Sequence, residues 1–547
     1  MNPVVYPIAA AAFLVLLLGG GAVVVAGRKA EFAGHPKGLY ILFFAEMWER
    51  FSYYGMRALL IFYLTKHWLF ADGPANLVYG AYTSLVYITP LLGGYIADRY
   101  LGQRKAVLFG GILIACGHVL MVFEGSGGQS DPTINIFWLA LSFIIVGTGF
   151  LKASISVIVG QLYPRTDVRR DGAYTIFYMG INVGAAIGTI LVGYLGETRG
   201  WNYGFGLAAI GMVLGMVVFV WGRPLLMGHG EAPDPARLRQ KVAGLPFETM
   251  LYVIAIGGIA LMWVLLQLRD VVPWLMALFA VALFVYLIVV AMKLPRDDRD
   301  RIFAIIFLLI LQPIFWGLFE QQGASLTLFT DRYVDRAGVP ASLFQSLNPI
   351  YIILLAPLFA WLWTSLGRRG LEPSTPAKFG LALLQAGFSF LVLVWGAHAV
   401  GLGTPTPVIF IFLIYLFQTT GELCLSPVGL SAMNRLAPRH MAGLIMGAWF
   451  FATAGGNLAA GLIGALTGAE NADSAGAAKE LVLDVYTTLG WVAIGIGVAV
   501  MVVAPLVKRL MHLDTLKDED ELAGYKEVGE PAAAGGSPPT KPGTEQA

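Results

Sequence analysis

Apolar stretches of about 20 residues recur along almost the whole chain, and short segments rich in charged residues, proline or glycine separate them. A helix of about 20 apolar residues is long enough to cross the hydrocarbon core of a bilayer. The pattern therefore predicts an all-α polytopic membrane protein with about fifteen spans. These spans lie near residues 4–27, 38–65, 76–98, 104–123, 133–160, 172–196, 201–222, 248–267, 271–292, 301–329, 342–366, 378–399, 406–434, 441–467 and 485–507.

The composition agrees with a chain that is solvated mostly by lipid. Of its 547 residues, 57% are hydrophobic and only 13% are charged. A soluble protein carries about 25% charged residues. The two cysteines, Cys116 and Cys424, both lie in apolar stretches, so neither a disulfide framework nor a zinc site is expected. The small net charge gives no indication of a nucleic-acid partner.

The basic residues predict the topology. If the loop after the first span is cytoplasmic and the loops alternate, 25 lysines and arginines fall on the cytoplasmic side and six fall outside. This is the bias of the positive-inside rule. Arg28 and Lys29 flank the far side of span 4–27, which is the opposite of a secretory signal, although Val24-Val25-Ala26 could serve as a cleavage site. We expect an uncleaved helix with an outside N-terminus, and a cytoplasmic C-terminus.

The order of the spans predicts five segments along the chain. They are an extra N-terminal helix, a six-helix bundle, a cytoplasmic linker with a two-helix hairpin, a second six-helix bundle and a disordered tail, at 1–34, 35–222, 223–300, 301–511 and 512–547. Two six-helix bundles around a linker are typical of the major facilitator fold. The loop Gly94-Tyr95-Ile96-Ala97-Asp98-Arg99 continues to Gly102 and Arg104 and resembles the cytoplasmic loop motif of that superfamily. Asp98 and Arg99 are therefore expected to act at a cytoplasmic gate.

Charged residues form a stripe inside the second span. Counted from Glu46, the residues Glu49, Arg50, Tyr53 and Arg57 stand three, four, seven and eleven positions further along. This spacing places them on one helix face. A charged side chain at mid-bilayer costs at least about 2.5–3.5 kcal/mol, so such residues normally face a polar pathway. The stripe predicts a transport pathway.

Ionisable residues are rare inside the other spans. Lys152 lies in the first predicted bundle, and Glu320 and Glu422 lie in the second. Carboxylates and cations therefore come from both bundles. We expect them to converge on one central cavity.

Two sequence motifs carry a resemblance to a known family. The run Glu46-x-x-Glu49-Arg50-Phe51-x-Tyr53-Tyr54 resembles the ExxERFxYY signature of the proton-dependent oligopeptide transporter (POT) family. The run Phe177-Tyr178-Met179-Gly180-Ile181-Asn182-Val183-Gly184 is similar to that family's second signature, FYxxINxG. Later runs around Glu320, Asn348 and Glu422 are also similar, and the resemblance extends from residue 38 to about 510. The chain departs from the family in the Ala-Ser that follows Lys152 and in the span 4–27.

The resemblance implies a role for individual residues. Arg57 and Lys152 would form a cationic pole for a peptide carboxylate, and Glu422 an anionic pole for its ammonium group. The remaining substrate contacts that it implies are Tyr53, Tyr54, Tyr87, Asn182, Trp316, Asn348, Ser426 and Trp449. Proton coupling would involve Glu46, Glu49, Arg50 and Glu320. The expected ion pairs are Glu46 or Glu49 with Lys152, and Glu320 with Arg57 across the two bundles.

The resemblance implies a proton-coupled symporter that imports di- and tripeptides by alternating access across a bacterial inner membrane. It would use protons and no other cofactor, bind no nucleic acid and function as a monomer. The alternative within the same fold is a carrier of another small anion or zwitterion, such as nitrate, an amino acid or a peptide-like drug. A membrane enzyme is disfavoured, because the chain has no nucleophile–base arrangement and no phosphate-binding loop. A third possibility is a peptide receptor that does not transport. Such a receptor would keep both charged poles but would not need a protonatable pair.

Overall fold

The computed structural model describes residues 4–26, 31–164, 167, 169–242, 244–468 and 472–513. Within these residues the chain forms seventeen α-helices. They are α1 (Val5–Ala26), α2 (Lys37–Phe62), α3 (Asp72–Ile96), α4 (Gln103–Leu120), α5 (Ile134–Gln161), α6 (Arg170–Arg199), α7 (Trp201–Trp221), α8 (Pro235–Arg239), α9 (Phe247–Gln267), α10 (Val272–Ala291), α11 (Arg296–Phe319), α12 (Ser325–Tyr333), α13 (Leu347–Arg368), α14 (Thr375–Val400), α15 (Ile409–Leu436), α16 (Ala442–Leu466) and α17 (Ala475–Leu510).

Short elements connect the helices. Two π-helical turns continue α2 and α3, at Tyr63–His67 and Ala97–Leu101. The 3-10 turns are Arg223–Leu226, Glu320–Gly323, Ala341–Ser346 and Arg439–Met441. The strands are β1 (Glu31–Phe32), β2 (His35–Pro36), β3 (Lys241–Val242), β4 (Leu245–Pro246), β5 (Val334–Asp335) and β6 (Thr406–Pro407). The pairs β1–β2 and β3–β4 are antiparallel, whereas β5 and β6 are parallel.

The helices agree with a polytopic membrane protein. Twelve helical segments in the described part of the chain are long and apolar enough to cross a membrane. The other three predicted spans are also helical, as α2, α3 and α4, but their sequences contain more polar residues. In α2 the reason is the stripe itself, because Glu46, Glu49, Arg50 and Arg57 stand in one helix of 26 residues.

Helices α2 to α7 pack against one another, and α11 to α17 do the same. The most extensive contact between these two halves joins α3 to α16. Glycines permit it: a Cβ atom at Gly80 would lie 2.7 Å from Gly461 Cα, and one at Gly464 would lie 2.3 Å from Asn76 Oδ1. Small residues allow helix backbones to approach closely inside a membrane. A second contact joins α6 to α13 and to the 3-10 turn before it.

The hairpin of α9 and α10 lies beside the α3–α16 contact. Helix α9 packs on α5, and α10 packs on α11 and α16. At the N-terminal end of α9 the hairpin is joined to α4, since Lys105 Nζ lies 2.7 Å from both carboxylate oxygens of Glu248. In the linker, Glu231 pairs with Arg104. The linker and hairpin are thus attached to the first half by ion pairs.

One predicted span differs clearly from the structure. The stretch predicted as a single helix over 301–329 is broken by the 3-10 turn Glu320–Gly323, so that α11 and α12 are separate. All four residues of the turn are buried. Hydropathy could not show the break, because apolar residues continue on both sides of it.

Helix α1 packs against α2 and α6. Gly21 makes room for the ring of Phe44, because a Cβ atom at this glycine would lie 2.2 Å from Phe44 Cζ. The described residues up to Met511 form one compact unit, and His512 begins a second. The disordered tail was predicted for 512–547, and residues 514–547 of it lie outside the described residues. Arg28 and Lys29, which the topology prediction used, also lie outside them.

Candidate functional site

A buried ion pair joins the two halves. The Arg57 guanidinium on α2 contacts the Glu320 carboxylate in the turn after α11, as the sequence predicted. The exposed side-chain fractions are 8% and 4%, so water contributes little to the stability of either charge. Arg57 Nε also donates to Tyr79 Oη on α3 at 2.6 Å. The guanidinium is therefore held from two sides.

The 3-10 turn brings Gly323 directly against this pair. A Cβ atom at Gly323 would lie 1.9 Å from Tyr79 Oη and 3.1 Å from Arg57 Nη2. No side chain fits there, so a glycine is needed for the close approach. The break in the helix thus places Glu320 within reach of Arg57 and leaves room for the tyrosine hydroxyl.

The Glu46, Glu49 and Arg50 side chains form a second buried cluster within α2. Arg50 Nε lies 2.9 Å from Glu46 Oε1 and 2.5 Å from Glu49 Oε2. The three residues are 3% exposed or less. The single guanidinium of Arg50 therefore contacts both carboxylates from their own helix.

The predicted ion pair between Lys152 and Glu46 or Glu49 is not formed in the structure. Within the described residues, no carboxylate oxygen lies within 4.0 Å of its Nζ, which instead stands 3.7 Å from the centroid of the Tyr87 ring. The physical reason is the position of Arg50, which already contacts Glu46 and Glu49 and leaves Lys152 a cation–π contact. Lys152 is half-buried on α5, so its ammonium group is available to another anion.

Glu422 stands apart from the basic residues. Its Oε2 accepts a hydrogen bond from Asn348 Nδ2 at 2.9 Å, and the same amide donates to Thr419 Oγ1 at 3.1 Å. In the part of the chain that the structure describes, no Lys or Arg lies within salt-bridge distance of Glu422, which is 9% exposed. The carboxylate is thus oriented by an amide and left without a counter-ion.

The two predicted aromatic walls are fixed by neighbouring residues. Trp316 Nε1 donates to Gln312 Oε1 at 2.9 Å, and Thr453 Oγ1 donates to the same oxygen at 3.0 Å. Trp449 fits against Gly429 of α15, where a Cβ atom would lie 2.1 Å from its ring. Both indoles therefore have defined orientations.

The other predicted substrate residues are distributed around these groups. The Tyr54 ring lies 5.5 Å from the Arg57 guanidinium carbon, and the Tyr53 ring lies 5.6 Å from that of Arg50. Asn182 donates to Tyr178 O on its own helix at 3.1 Å. Ser426 is half-buried on α15, one turn after Glu422.

Asp98 and Arg99 lie in the π-helical turn after α3 and are exposed. Asp98 Oδ1 accepts a hydrogen bond from Gln103 Nε2 at 2.9 Å, and the Arg99 guanidinium carbon lies 5.9 Å from the Tyr95 ring. Both contacts are local. A role for these residues at a cytoplasmic gate remains a prediction.

Sequence reasoning missed several polar contacts between the halves. Besides Tyr79 and Gly323 at the central pair, Lys66 Nζ lies 2.6 Å from Asp331 Oδ2, and Arg332 Nη2 donates to Asp72 Oδ1 at 2.8 Å. Glu197 Oε1 accepts from the backbone N–H of Ser342 at 2.7 Å. Of these residues, Tyr79 could have been suspected from the sequence, because it is a tyrosine in the same predicted span as Tyr87.

These three contacts lie at the end of the molecule that the charge count predicts to be extracellular. The site is therefore covered on this side by polar contacts between the halves. Two helical halves with buried charges at their contact define a membrane transporter.

Comparison with known proteins gives the family. The model of the POT family matches residues 104–481. The chain is 37% identical over 493 residues to an uncharacterized transporter of Bacillus subtilis, YclF, covering 88% of this chain and 96% of that protein. It is 38% identical over 466 residues to the peptide transporter YePEPT of Yersinia enterocolitica, covering 81% and 90%. The chain belongs to the POT family.

Solved structures agree with this assignment. A mutant of the peptide transporter POT in complex with alafosfalin aligns with a TM-score of 0.76 and 35% identity, over 90% of this chain and 99% of that one. A POT family transporter in complex with 5-aminolevulinic acid aligns with a TM-score of 0.74 and 31% identity, over 89% and 99%. The predicted family and fold class are thus confirmed.

Proposed function

We propose that this protein is a proton-coupled symporter that imports di- and tripeptides across the cytoplasmic membrane by alternating access. The observation that carries the proposal is the buried Arg57–Glu320 pair between the halves. A carboxylate whose counter-ion belongs to the other half can link its own protonation to the relative position of the halves. The names of the relatives, which include di- and tripeptide transporters, support the substrate class.

A zwitterionic peptide needs partners for both of its charged ends. Leaving either end without a partner in a low-dielectric cavity costs several kcal/mol. Lys152, which lacks a carboxylate partner within the described residues, can accept the peptide carboxylate together with Arg57. Glu422, held by Asn348, can accept the ammonium group. Two opposite poles suit a peptide better than nitrate, which carries one charge.

The walls of the site suit side chains of different kinds. Trp316 and Trp449 present large apolar faces with fixed orientations. Apolar walls accept varied side chains, while a few polar groups fix the backbone. We therefore propose broad selectivity, with contributions from Tyr53, Tyr54, Tyr87, Asn182 and Ser426.

Proton coupling is assigned to Glu46, Glu49, Arg50 and Glu320. Protonation of Glu320 would remove the attraction to Arg57 and free the guanidinium for the peptide carboxylate. Return of the proton to the cytoplasm would restore the pair. In this scheme the structure, with polar contacts at the predicted outer end, corresponds to a state closed to the outside.

We further propose a monomer in a bacterial plasma membrane, with the C-terminus in the cytoplasm and the N-terminus outside. The charge asymmetry of the loops supports this orientation. Labelling of single cysteines at either terminus in intact cells tests it.

The function is tested by reconstituting the full-length protein into liposomes. We expect a dialanine-type probe to accumulate when the outside is acidic, and unlabelled dipeptide to compete where an amino acid or nitrate does not. Glu320→Gln should abolish gradient-driven uptake and retain counterflow. Glu248→Gln is the matched control, because it removes a carboxylate from an ion pair outside the contact between the halves. Full gradient-driven uptake by Glu320→Gln would contradict the role of Glu320.

A further inference from the structure

We propose that the C-terminal end of α13 binds an anionic phospholipid, with the headgroup phosphate at Arg368 and Arg369 and an acyl chain along the preceding turns of the helix. This inference goes beyond the proposed function and does not depend on which substrate is transported. Neither arginine belongs to the residues predicted for substrate binding, proton coupling or the gate.

The exposed face of α13 changes from apolar to basic along the helix. Leu354, Leu358 and Trp361 are each more than half exposed. Arg368 stands two turns after Trp361 on the same face, and Arg369 directly follows it. A phospholipid has the same order, because its acyl chains lie in the hydrocarbon core of the bilayer and its phosphate lies in the headgroup region.

A surface depression lies where the apolar and basic parts of this face meet. Its volume is about 510 Å³, within the range of about 300–1,000 Å³ that is typical of sites for small ligands. It is lined by Ala360, Trp361, Thr364, Ser365, Arg368 and Arg369. Tryptophan is enriched at the headgroup level of membrane proteins, and arginine there attracts anionic lipids. The depression therefore combines the side chains that suit a lipid headgroup.

The polar groups of the depression are available to an anion. Among the described residues, neither Arg368 nor Arg369 has an ion pair, and Ser365 Oγ has no hydrogen-bond partner. The carboxylate in the following loop, Glu372, pairs instead with Lys378 of α14. Phosphate oxygens accept strong hydrogen bonds from guanidinium groups. Two arginines without counter-ions and one hydroxyl thus complement a phosphate.

The opposite face of α13 is the one that packs against its own half. Trp363 stands two positions after Trp361, so the two indoles point to nearly opposite sides of the helix. Lys378 Nζ of α14 lies 4.3 Å from the centroid of the Trp363 ring. The depression therefore faces away from α14, and in the described part of the chain its lining comes from α13 and Arg369 alone.

The predicted topology indicates which membrane leaflet supplies the ligand. The charge count places the C-terminal end of α13 on the cytoplasmic side. The cytoplasmic leaflet carries the anionic lipids, and its negative surface potential attracts basic residues next to a span. An anionic phospholipid is thus the partner whose charge and shape both fit this face.

The experiment measures lipid binding to the full-length protein in detergent. Native mass spectrometry gives the dissociation constants of dioleoylphosphatidylglycerol and of dioleoylphosphatidylcholine, which has the same chains and no net charge. We expect the tightest phosphatidylglycerol molecule to bind about thirtyfold more weakly to the double variant Arg368→Gln, Arg369→Gln. This loss corresponds to about 2 kcal/mol at 1.4 kcal/mol per factor of ten, or about 1 kcal/mol per basic residue. Ser365→Ala keeps both charges and should weaken binding about threefold to tenfold.

The double variant Lys508→Gln, Arg509→Gln is the matched control. It also removes an exposed basic pair at the end of a helix, α17, on the same predicted side of the membrane. The last turns of α17 contain neither a hydroxyl group nor a tryptophan, so its affinity for phosphatidylglycerol should stay at the native value. Equal losses in the two double variants would overturn the proposal, because they would show attraction to surface charge alone.

Three further outcomes would also overturn the proposal. The first is equal affinity for the two lipids, and the second is displacement of phosphatidylglycerol by millimolar inorganic phosphate, which would indicate a site for a free anion. The third is native lipid binding in the variant Arg368→Gln, Arg369→Gln. If peptide counterflow changed in that variant while lipid binding did not, the face would be assigned to a contact with the other half instead.

Discussion

Arg57 on α2 and Glu320 in the turn after α11 form a buried ion pair although 263 positions separate them in the chain. Nearly complete burial makes the pair sensitive to the loss of either partner, which typically costs about 3–5 kcal/mol. Tyr79 holds the same guanidinium through its Nε. The geometry therefore depends on the planar fork of arginine and not only on its charge.

Arg57→Lys is expected to weaken the contact between the halves. A lysine ammonium group is a compact donor on a flexible stem and does not reproduce the fork that serves Glu320 and Tyr79 together. We expect a lower melting temperature in detergent and reduced peptide uptake. Thermal unfolding followed by tryptophan fluorescence measures the first quantity.

Arg332→Lys provides the comparison. Arg332 also pairs with a carboxylate of the other half, Asp72, but 38% of its side chain is exposed. Exposed pairs are worth about 0–1 kcal/mol, so this variant should shift the melting temperature little. Equal shifts in the two variants would count against a special role for the buried pair.

Gly323→Ala should disturb the site through a steric clash alone. The added Cβ would lie 1.9 Å from Tyr79 Oη, a separation that requires the tyrosine or the turn to move. We expect loss of transport and of thermal stability. Gly443→Ala is the control, since nothing lies within 4 Å of the added atom. Replacing Tyr79 by phenylalanine in the Gly323→Ala background removes the hydroxyl that the added Cβ would meet, so it should recover part of the lost stability. No recovery would contradict the steric explanation.

Much of the fold follows from hydropathy, because a membrane requires long apolar helices. Helix α9 was expected near 248–267 and occupies Phe247–Gln267. The break at Glu320–Gly323 was not expected, since it depends on Tyr79 and Arg57 from the other half. A hydropathy profile contains no contacts between distant segments.

The site could be predicted only in part, because several of its contacts also join distant segments of the chain. Charges buried in spans need partners, so the pairing of Arg57 with Glu320 could be anticipated. The partner of Lys152 could not be anticipated, because in the folded chain Arg50 already contacts both nearby carboxylates. The role of Glu197 could not be anticipated either. Its partners are backbone N–H groups, so no complementary charged side chain indicates the contact in the sequence.

We predict that Asp131 makes the stability of the loop between α4 and α5 depend on pH. Hydrogen bonds from Thr133 and Ser126 hold the pKa of Asp131 well below its usual range. A carboxyl group with a lowered pKa in the folded state stabilises that state above its unfolded pKa of about 3.9 and loses this contribution as the pH falls further. Asp131→Asn should therefore loosen residues 124–133 at neutral pH, with a difference from the native chain that shrinks below about pH 3.9.

Hydrogen exchange of this loop at matched pH measures the difference. Asp335→Asn is a suitable control, because that carboxylate accepts a backbone N–H from Ala337 at 3.2 Å in another loop. A constant difference between native and Asp131→Asn chains at every pH would show that the carboxylate charge is not the cause.

Glu197 is expected to act as a latch on the side predicted to be extracellular. From α6 its carboxylate accepts the backbone N–H groups of Ser342 at 2.7 Å and Ala341 at 3.3 Å, at the start of the 3-10 turn Ala341–Ser346. A carboxylate at such a position usually contributes about 0.5–2 kcal/mol. Because the two partners belong to different halves, this energy favours the closed state over the open one.

Glu197→Gln keeps the shape of the side chain and removes its charge, so the population should shift towards the state open to the outside. Spin labels on cysteines at Thr198 and Asp335, which are exposed, would report the separation of the halves by pulsed electron resonance. The labels require a chain whose Cys116 and Cys424 are replaced by serine. We expect a larger fraction of long distances in Glu197→Gln than in Glu480→Gln, a variant of the second half remote from α6. Identical distance distributions would show that the closed state does not depend on this carboxylate, and would leave the Arg57–Glu320 pair to hold it.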